Sequence, residues 1–195
     1  CDKSHKRYNA YVKDEILKDP YIMKKLSHPA IPVVVDILED SDSIFIVREY
    51  IEGQSLKQIV DNFGAQSEEQ VIEWAKELCD MLVYLHNQTP PHIYRDMKPA
   101  NIILMKNNHV KVIDFGILRI YDEGKRGDTC CLGTRGYAAP EQYGGLGQTD
   151  ARTDIFCLGM TMHHLVTGFD PNEPPYETYS RNESFVIERI RVYYY

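Results

Sequence analysis

One polar segment and a short motif after it constrain this chain more than any other feature. Residues 93–101 read Ile-Tyr-Arg-Asp-Met-Lys-Pro-Ala-Asn, and the motif Asp-Phe-Gly stands at 114–116. Between them lie two short strand candidates, 102–105 and 110–113, joined by the turn-forming residues 106–109. A hairpin is therefore predicted. It would bring two carboxylates, an amide and a lysine to one end of two strands.

Composition excludes several classes of protein. The 195 residues are 43% hydrophobic and 26% charged, enough for one domain or two closely packed lobes and unlike disordered, collagenous or disulfide-scaffold chains. The net charge of −7 argues against nucleic acid as a partner, because a phosphate backbone needs a basic surface. No run reaches the roughly 18 apolar residues of a membrane span. Five cysteines, an odd number, favour a reduced cytoplasmic protein.

The remaining elements follow from periodicity. The apolar runs 33–38 and 44–47 flank a polar turn and predict a second hairpin. Residues 68–86 carry apolar side chains at helical spacing after a capping serine, Ser67, and predict the longest helix. A short helix near 56–62 and an apolar helix over 153–167 complete the pattern. Strands gather early and helices late, so we expect an α+β fold of two lobes.

The polar segment suits phosphoryl transfer, in which positioning and charge neutralisation matter most. Asp114 would bind an Mg²⁺ ion that bridges ATP phosphates, and Asn101 would hold a second metal ion. Asp96 would accept or orient the proton of the substrate hydroxyl, and Lys98 would neutralise the moving phosphoryl group. Taken singly, each motif also fits a bland alternative: Asp-Phe-Gly a turn, and Arg95-Asp96 a surface ion pair.

Together, in this order, the motifs resemble those of eukaryotic-type serine/threonine protein kinase domains of the kind that bacteria carry. Gly133-Thr134 and the Ala-Pro-Glu of 139–141 are similar to the end of that family's activation segment. The stretch 154–159, Asp-Ile-Phe-Cys-Leu-Gly, resembles the start of its buried helix, whose Asp tethers the catalytic loop. Tyr94 stands where a His is commoner in the family.

The resemblance implies further roles for residues of this chain. Glu49 and Ile51 would lie in the hinge and bind adenine through backbone groups, with Ile103 packed beneath the ring. Thr134 would form hydrogen bonds with Asp96 and Lys98 and so fix the surface on which the substrate lies.

Regulation is also implied. Arg95, beside the catalytic aspartate, would pair with a phosphate on the activation segment. Thr129 is the candidate acceptor of that phosphate. The alternative is that Thr129 is an ordinary loop threonine.

The chain departs from the family at both ends. No Gly-x-Gly-x-x-Gly and no strand lysine of the Val-Ala-Ile-Lys type occur, and the closing helices lack an obvious match. We therefore expect a kinase domain truncated at both ends, with a partial N-terminal lobe in 1–50 and a C-terminal lobe in 51–195. The motifs carry the resemblance from the helix before His28-Pro29 to about Thr178.

Two substitutions and one missing partner mark the remaining part. Asp19 stands where the family has the helix Glu that pairs with the strand lysine. Arg48 occupies the gatekeeper position, next to the hinge. We expect it to pair with Asp19 or Asp114; alternatively, it extends to an exposed edge of the sheet. Glu141 has no obvious partner, although Arg189 and Arg191 are possible stand-ins.

The sequence thus predicts ATP-dependent phosphoryl transfer to Ser/Thr hydroxyls of proteins, with ATP and Mg²⁺ as cofactors. The alternative is a degenerate kinase that binds a partner or nucleotide without turnover. A small-molecule phosphotransferase is disfavoured by the Gly-Thr and Ala-Pro-Glu motifs, which serve peptide substrates in the family. We expect a cytoplasmic location, or the cytoplasmic face of a membrane-anchored parent protein. The oligomeric state is not predicted.

Overall fold

A computed structural model describes residues 21–39, 44–121, 133–143 and 148–173. These residues form short strands, three complete α-helices and two 3-10 turns beside the polar segment, and residues 21–23 are also helical. In chain order the elements are β1 (Val34–Glu39), β2 (Ile44–Arg48), β3 (Gly53–Ser55), α1 (Leu56–Phe63), α2 (Glu68–His86), β4 (His92–Ile93), a 3-10 turn (Pro99–Asn101), β5 (Ile102–Met105), β6 (Val110–Val112), β7 (Arg119–Ile120), a 3-10 turn (Pro140–Tyr143) and α3 (Ala151–Thr167).

The hairpin predicted from the apolar runs 33–38 and 44–47 is confirmed. Strands β1 and β2 pair antiparallel, with Ile37 opposite Ile46 and a register shift between Val34 and Asp36. The hairpin is joined to the rest of the fold beside β6, where the Val112 amide donates to the Ala30 carbonyl at 2.9 Å. The turn itself, at residues 40–43, lies outside the described residues.

Helix α2 forms the centre of the core, as its periodicity predicts. The Ser67 side chain accepts a hydrogen bond from the Gln70 amide at 3.3 Å and so caps the first turn. A stripe of side chains at helical spacing is buried against α1, the β5–β6 sheet and α3. Each large apolar side chain fully buried in this way stabilises the fold by about 1.5–3 kcal/mol. The buried stripe is Val71, Trp74, Ala75, Leu78, Met81, Leu82 and Leu85.

A three-stranded sheet carries the polar segment. Strand β5 lies between β3 and β6, and both pairings are antiparallel. The predicted strands of the hairpin at 102–113 are confirmed as β5 and β6. Strand β3 was not predicted, because its three residues are too few to show a period. A Cβ at Gly53 would collide with the Leu104 carbonyl oxygen, so this close strand pairing needs glycine.

A second small sheet was also missed. Strand β7 lies a few residues after Asp-Phe-Gly and has only two residues, too few to show a period in the sequence. It pairs with β4, placing His92 opposite Ile120. This pairing brings the chain after Asp-Phe-Gly back to the start of the polar segment.

Helix α3 packs across α2 and carries the polar segment on its N-terminal half. Asp150 caps it: its carboxylate accepts from the Arg152 amide at 2.8 Å, and its own amide donates to Thr153 Oγ1 at 3.2 Å. Gly168, at φ 72°, ends the helix in the left-handed conformation. The predicted α+β character is confirmed. Within the described ranges, no helix combines the length and the apolar character that crossing a bilayer requires.

Candidate active site

Four of the predicted site residues meet around one carboxylate. Asp96 Oδ2 accepts hydrogen bonds from Lys98 Nζ at 2.8 Å and from Asn101 Nδ2 at 2.8 Å. Asp96 Oδ1 accepts from Thr134 Oγ1 at 2.7 Å. Lys98 Nζ also donates to Thr134 Oγ1, at 2.6 Å. These are the contacts expected of Thr134, although it stands 36 residues beyond Lys98.

The network fixes Asp96 without closing it off. Its side chain is 12% exposed and that of Lys98 is 20% exposed. A carboxylate held by several donors keeps one orientation, and a neighbouring ammonium group places positive charge beside it. This arrangement can accept or orient a hydroxyl proton and can attract an anionic group.

Helix α3 holds the backbone of the polar segment. Asp154, fully buried, accepts from the amides of Tyr94 at 2.9 Å and Arg95 at 2.7 Å. His86 Nε2 lies 2.7 Å from the same carboxylate. About two turns further along α3, Thr161 Oγ1 donates to the carbonyl oxygen of residue 97 at 3.0 Å. The tether predicted for Asp154 is therefore present as a hydrogen-bonded contact.

Arg95 shows why that tether is needed. Its φ of 70° is left-handed, a conformation that costs a residue with a side chain about 1–2 kcal/mol. The carboxylate of Asp154 offsets this cost by binding the Arg95 amide. The Arg95 side chain is buried, and its Nε donates to the Ile117 carbonyl at 2.7 Å, so it holds the chain just after Asp-Phe-Gly.

Asp114 stands beside this cluster at the end of β6. The Ile113 amide donates to the Asn101 carbonyl at 2.9 Å, which places Asp114 one residue from a direct contact with Asn101. Asp114 Oδ1 accepts from the Gly116 amide at 3.0 Å, and the residue is exposed. Phe115 is buried and packs edge-on against the Tyr94 ring, with centroids 5.1 Å apart.

Tyr94, in the place of the commoner His, is part of the core. It is fully buried, and its hydroxyl lies 3.5 Å from Asn101 Nδ2. Burial, and then the Asp96 carboxylate, hold the pKa of the phenol well above its ordinary value. Tyr94 is therefore a neutral packing residue between Phe115 and Asn101.

The donor set around Asn101 and Asp114 fits a hard cation. Asn101 Nδ2 donates to the carboxylate and the carbonyl of Asp96, which leaves Asn101 Oδ1 turned to other partners. Amide and carboxylate oxygens are the ligands that Mg²⁺ takes in proteins. No group of three or more His, Cys, Asp or Glu side chains gathers as a metal cluster in the described residues.

The three residues predicted to contact adenine lie close in the fold. The Glu49 amide donates to the Val33 carbonyl at 2.8 Å, at the end of β2. Its carboxylate binds Lys111 Nζ at 2.8 and 2.6 Å, and these bonds lower the pKa of Glu49. Lys111 is opposite Ile103 in the sheet, so Glu49 and Ile103 both lie beside Lys111. Ile51 is half-buried and lines a shallow open pocket with Glu49 and Met105.

Arg48 does not pair with Asp114. It is exposed, and its Nη1 donates to the Ile113 carbonyl at 2.6 Å, next to Asp114 rather than to its carboxylate. A carbonyl oxygen satisfies the guanidinium at an exposed position, where an ion pair adds little. Asp19 and Thr129 lie outside the described residues.

Several partners were not found by sequence reasoning. Thr153 Oγ1 donates to Glu141 Oε1 at 2.5 Å, whereas the suggested partners Arg189 and Arg191 lie outside the described residues. Gln142, buried in the second 3-10 turn, donates to the Arg95 carbonyl at 2.8 Å. His86 and Lys111 were likewise missed. The sequence carries no local signal for these contacts, because each joins residues far apart along the chain.

A comparison with protein families identifies the family of the chain. A family model described as protein kinase domain matches residues 2–192. The chain therefore belongs to the protein kinase domain family. The matched range is longer than the stretch that the sequence motifs covered, which ran from the helix before His28-Pro29 to about Thr178.

Individual relatives are serine/threonine-protein kinases by name. The chain is 39% identical over 157 residues to serine/threonine-protein kinase PknB of Mycobacterium leprae, covering 77% of this chain and 24% of that protein. It is 35% identical over 156 residues to serine/threonine-protein kinase cds1 of Schizosaccharomyces pombe, with 77% and 33% covered. It is 33% identical over 182 residues to probable serine/threonine-protein kinase CPE1738 of Clostridium perfringens, with 85% and 26% covered. The chain thus spans about a quarter to a third of the length of these curated relatives.

Proposed function

We propose that this chain is the catalytic-loop part of a kinase that transfers the γ-phosphoryl group of ATP to serine or threonine hydroxyls of proteins. The single observation that carries the proposal is the hydrogen-bonded cluster of Asp96, Lys98, Asn101 and Thr134. In this cluster a lysine ammonium group and an amide of the kind that binds metal ions lie within hydrogen-bond distance of a partly exposed carboxylate. Phosphoryl transfer needs these groups more than it needs a covalent nucleophile.

Each residue has a defined part in the reaction. Asp96 binds the substrate hydroxyl and accepts its proton as the oxygen attacks, because its carboxylate is held in one orientation by its donors and its side chain stays 12% exposed. Lys98 places its ammonium group between Asp96 and Thr134 and neutralises charge on the transferred group. Thr134 fixes the directions of both side chains and forms the surface on which the substrate rests.

Asn101 and Asp114 are the proposed magnesium ligands. When bound, Mg²⁺ supplies positive charge that neutralises the ATP phosphates. Asn101 turns Oδ1 away from Asp96, because its Nδ2 is engaged there. Asp114 has one carboxylate oxygen oriented by the Gly116 amide. The chain's own contribution is to hold these two oxygen donors on neighbouring strand ends.

The adenine subsite is proposed at the end of β2. The Glu49 carbonyl and the Ile51 amide would bind the edge of the base, and Ile103 would contact its face. The ion pair of Glu49 with Lys111 fixes the Glu49 side chain and thereby this part of the backbone. Asp19, by its position in the family pattern, is proposed to orient the nucleotide phosphates indirectly.

The class of substrate follows from the cluster and the relatives. The pairing of Lys98 with Thr134 supports Ser/Thr specificity, as do the serine/threonine-protein kinase relatives in bacteria and fission yeast. A bacterial lineage is supported by the Mycobacterium and Clostridium proteins. We propose a cytoplasmic site of action, which the free thiols of Cys79 and Cys157 support.

Regulation through the activation segment completes the proposal. Arg95 would receive a phosphate carried by Thr129, and its buried guanidinium already contacts the Ile117 carbonyl. Phosphosite mapping after incubation with Mg-ATP tests this directly. Phosphate on Thr129 is expected, and its absence in an otherwise phosphorylated chain would contradict the regulatory role.

The function is tested by incubating the chain with radiolabelled ATP, Mg²⁺ and a general protein acceptor. Labelled phosphoserine and phosphothreonine are expected after acid hydrolysis, and chelation of Mg²⁺ should abolish the label. Asp114→Asn should raise the Mg²⁺ concentration needed for half-maximal transfer, whereas Asp80→Asn, at an exposed position, should not. Nucleotide or partner binding without any transfer would favour the non-catalytic alternative, and labelled phosphotyrosine alone would contradict the proposed specificity.

A further inference from the structure

Gln142 joins three separate segments around the catalytic loop. The residue is 3% exposed. Its Nε2 donates to the Arg95 carbonyl at 2.8 Å, and its Oε1 accepts from the Ala139 amide at 2.9 Å. The Cys157 thiol, on α3, donates to the same Oε1 at 3.3 Å. The orientation of the amide is fixed by these partners, since the reverse orientation would set donor against donor.

The Arg95 carbonyl is a sensitive point in the loop. It belongs to the peptide unit that leads into Asp96, and Arg95 itself is held at a left-handed φ of 70°. Asp154 binds the amide of Arg95 and Gln142 binds its carbonyl, so the strained residue is held at both ends. A strained backbone conformation persists only where its surroundings over-determine it.

The segment around Gln142 is built to admit its side chain. Gly133 has φ 141°, and a Cβ there would lie 2.6 Å from Gln142 Nε2. The next residue, Thr134, donates to Asp96 Oδ1. The segment 133–143 therefore holds the catalytic loop at two successive residues, by the Arg95 carbonyl and by the Asp96 side chain.

We infer that Gln142 is a positioning residue for Asp96, acting through the Arg95 carbonyl. This inference rests on the proposed phosphoryl transfer at Asp96. Gln142 does not contact the reacting atoms; it fixes the peptide unit from which Asp96 projects. Loss of the Gln142 amide should therefore slow the chemical step. It should leave nucleotide binding unchanged, because the proposed adenine subsite lies at the end of β2.

Two variants remove the donor in different ways. Gln142→Glu keeps an acceptor for the Ala139 amide but sets a carboxylate oxygen against the Arg95 carbonyl. Gln142→Met keeps the length of the buried side chain and has no donor, so it carries the test if the carboxylate prevents folding. Gln70→Glu is the matched control: Gln70 lies in the first turn of α2, roughly 24 Å along the helix from His86. A carboxylate is favourable at that helix end.

The kinetic readout separates positioning from general damage. We expect both Gln142 variants to lower kcat by about ten- to a hundredfold, the effect of a displacement of about 1 Å at the reacting groups. The KM for ATP should stay within about twofold of the wild-type value, and Gln70→Glu should leave both constants unchanged. An unchanged kcat, or a raised KM with unchanged kcat, would overturn the inference. So would loss of cooperative unfolding in both variants, because the amide would then serve the fold rather than Asp96.

A second measurement does not depend on activity. Hydrogen exchange of the backbone amides in residues 94–97 should become about fivefold faster in Gln142→Met, as expected for a loop that loses one hydrogen bond. Equal exchange in the variant and the wild type would overturn the inference. If the wild-type chain shows no phosphoryl transfer, or shows transfer that Asp96→Asn does not remove, the proposed function fails. The hydrogen-exchange rates of residues 94–97 then decide by themselves whether Gln142 holds this loop.

Discussion

The hydrogen bonds of Asp154 predict a large loss of stability in Asp154→Asn. The buried carboxylate accepts from the amides of Tyr94 and Arg95 and from His86 Nε2, so every contact it makes is with a donor. An amide in its place turns an N–H group toward at least one of these donors. A buried donor without an acceptor costs about 1–3 kcal/mol, and the lost charge adds a similar amount.

We expect Asp154→Asn to lower the free energy of unfolding by about 3 kcal/mol, which corresponds to a fall in Tm of about 6–12 °C for a chain of this size. Urea and thermal unfolding followed by circular dichroism measure this at pH 7. Asp80→Asn is the control, since the Asp80 side chain is 78% exposed and pairs only with His28 among the described residues. The control should cost less than about 1 kcal/mol. Equal losses in the two variants would refute the role of Asp154 as the tether of the loop.

Three further predictions concern other contacts. Lys111→Met should lower stability by up to about 1 kcal/mol at pH 7. Because the pKa of Glu49 is lowered by Lys111, this difference should vanish as the pH falls through the lowered value, and urea titrations at pH 7 and pH 3 measure it. Gly133→Ala should cost about 2 kcal/mol, since its Cβ would meet Gln142. Gly64→Ala has no atom within 4 Å of its Cβ, but φ 75° with ψ −160° is a backbone conformation essentially confined to glycine, so it should cost about 2 kcal/mol from backbone strain alone in the same unfolding assay. Iodoacetamide should modify exposed Cys79 and spare buried Cys157, because burial shields the Cys157 thiol and raises its pKa. Peptide mass spectrometry measures the labelling of each cysteine, and equal labelling would contradict this prediction.

The elements with a strong local pattern were predictable from the sequence. Helix α2 has seven buried side chains at helical spacing and a capping serine, and the structure places it at the predicted residues. Strands β1, β2, β5 and β6 carry apolar runs long enough to be recognised. The pairs β4–β7 and β3–β5 were missed, because strands of two or three residues are too short to show a period.

The site was predictable in its parts but not in its supports. The motifs identify Asp96, Lys98, Asn101 and Thr134, and the structure brings these four together. The supporting contacts of Gln142 and Lys111 join residues 47 and 62 positions apart. Such contacts depend on how the segments pack, and a single sequence carries no pattern for them.

The central claim, that Asp96 serves phosphoryl transfer, is tested most directly by single-turnover transfer from Mg-ATP in wild type and Asp96→Asn. The substitution keeps the shape of the side chain and an oxygen for Thr134 or Lys98, but it removes the carboxylate that would accept the proton. We predict that the rate of transfer falls by about a hundredfold or more while the affinity for Mg-ATP stays within about threefold. An unchanged rate of transfer in Asp96→Asn would contradict the account.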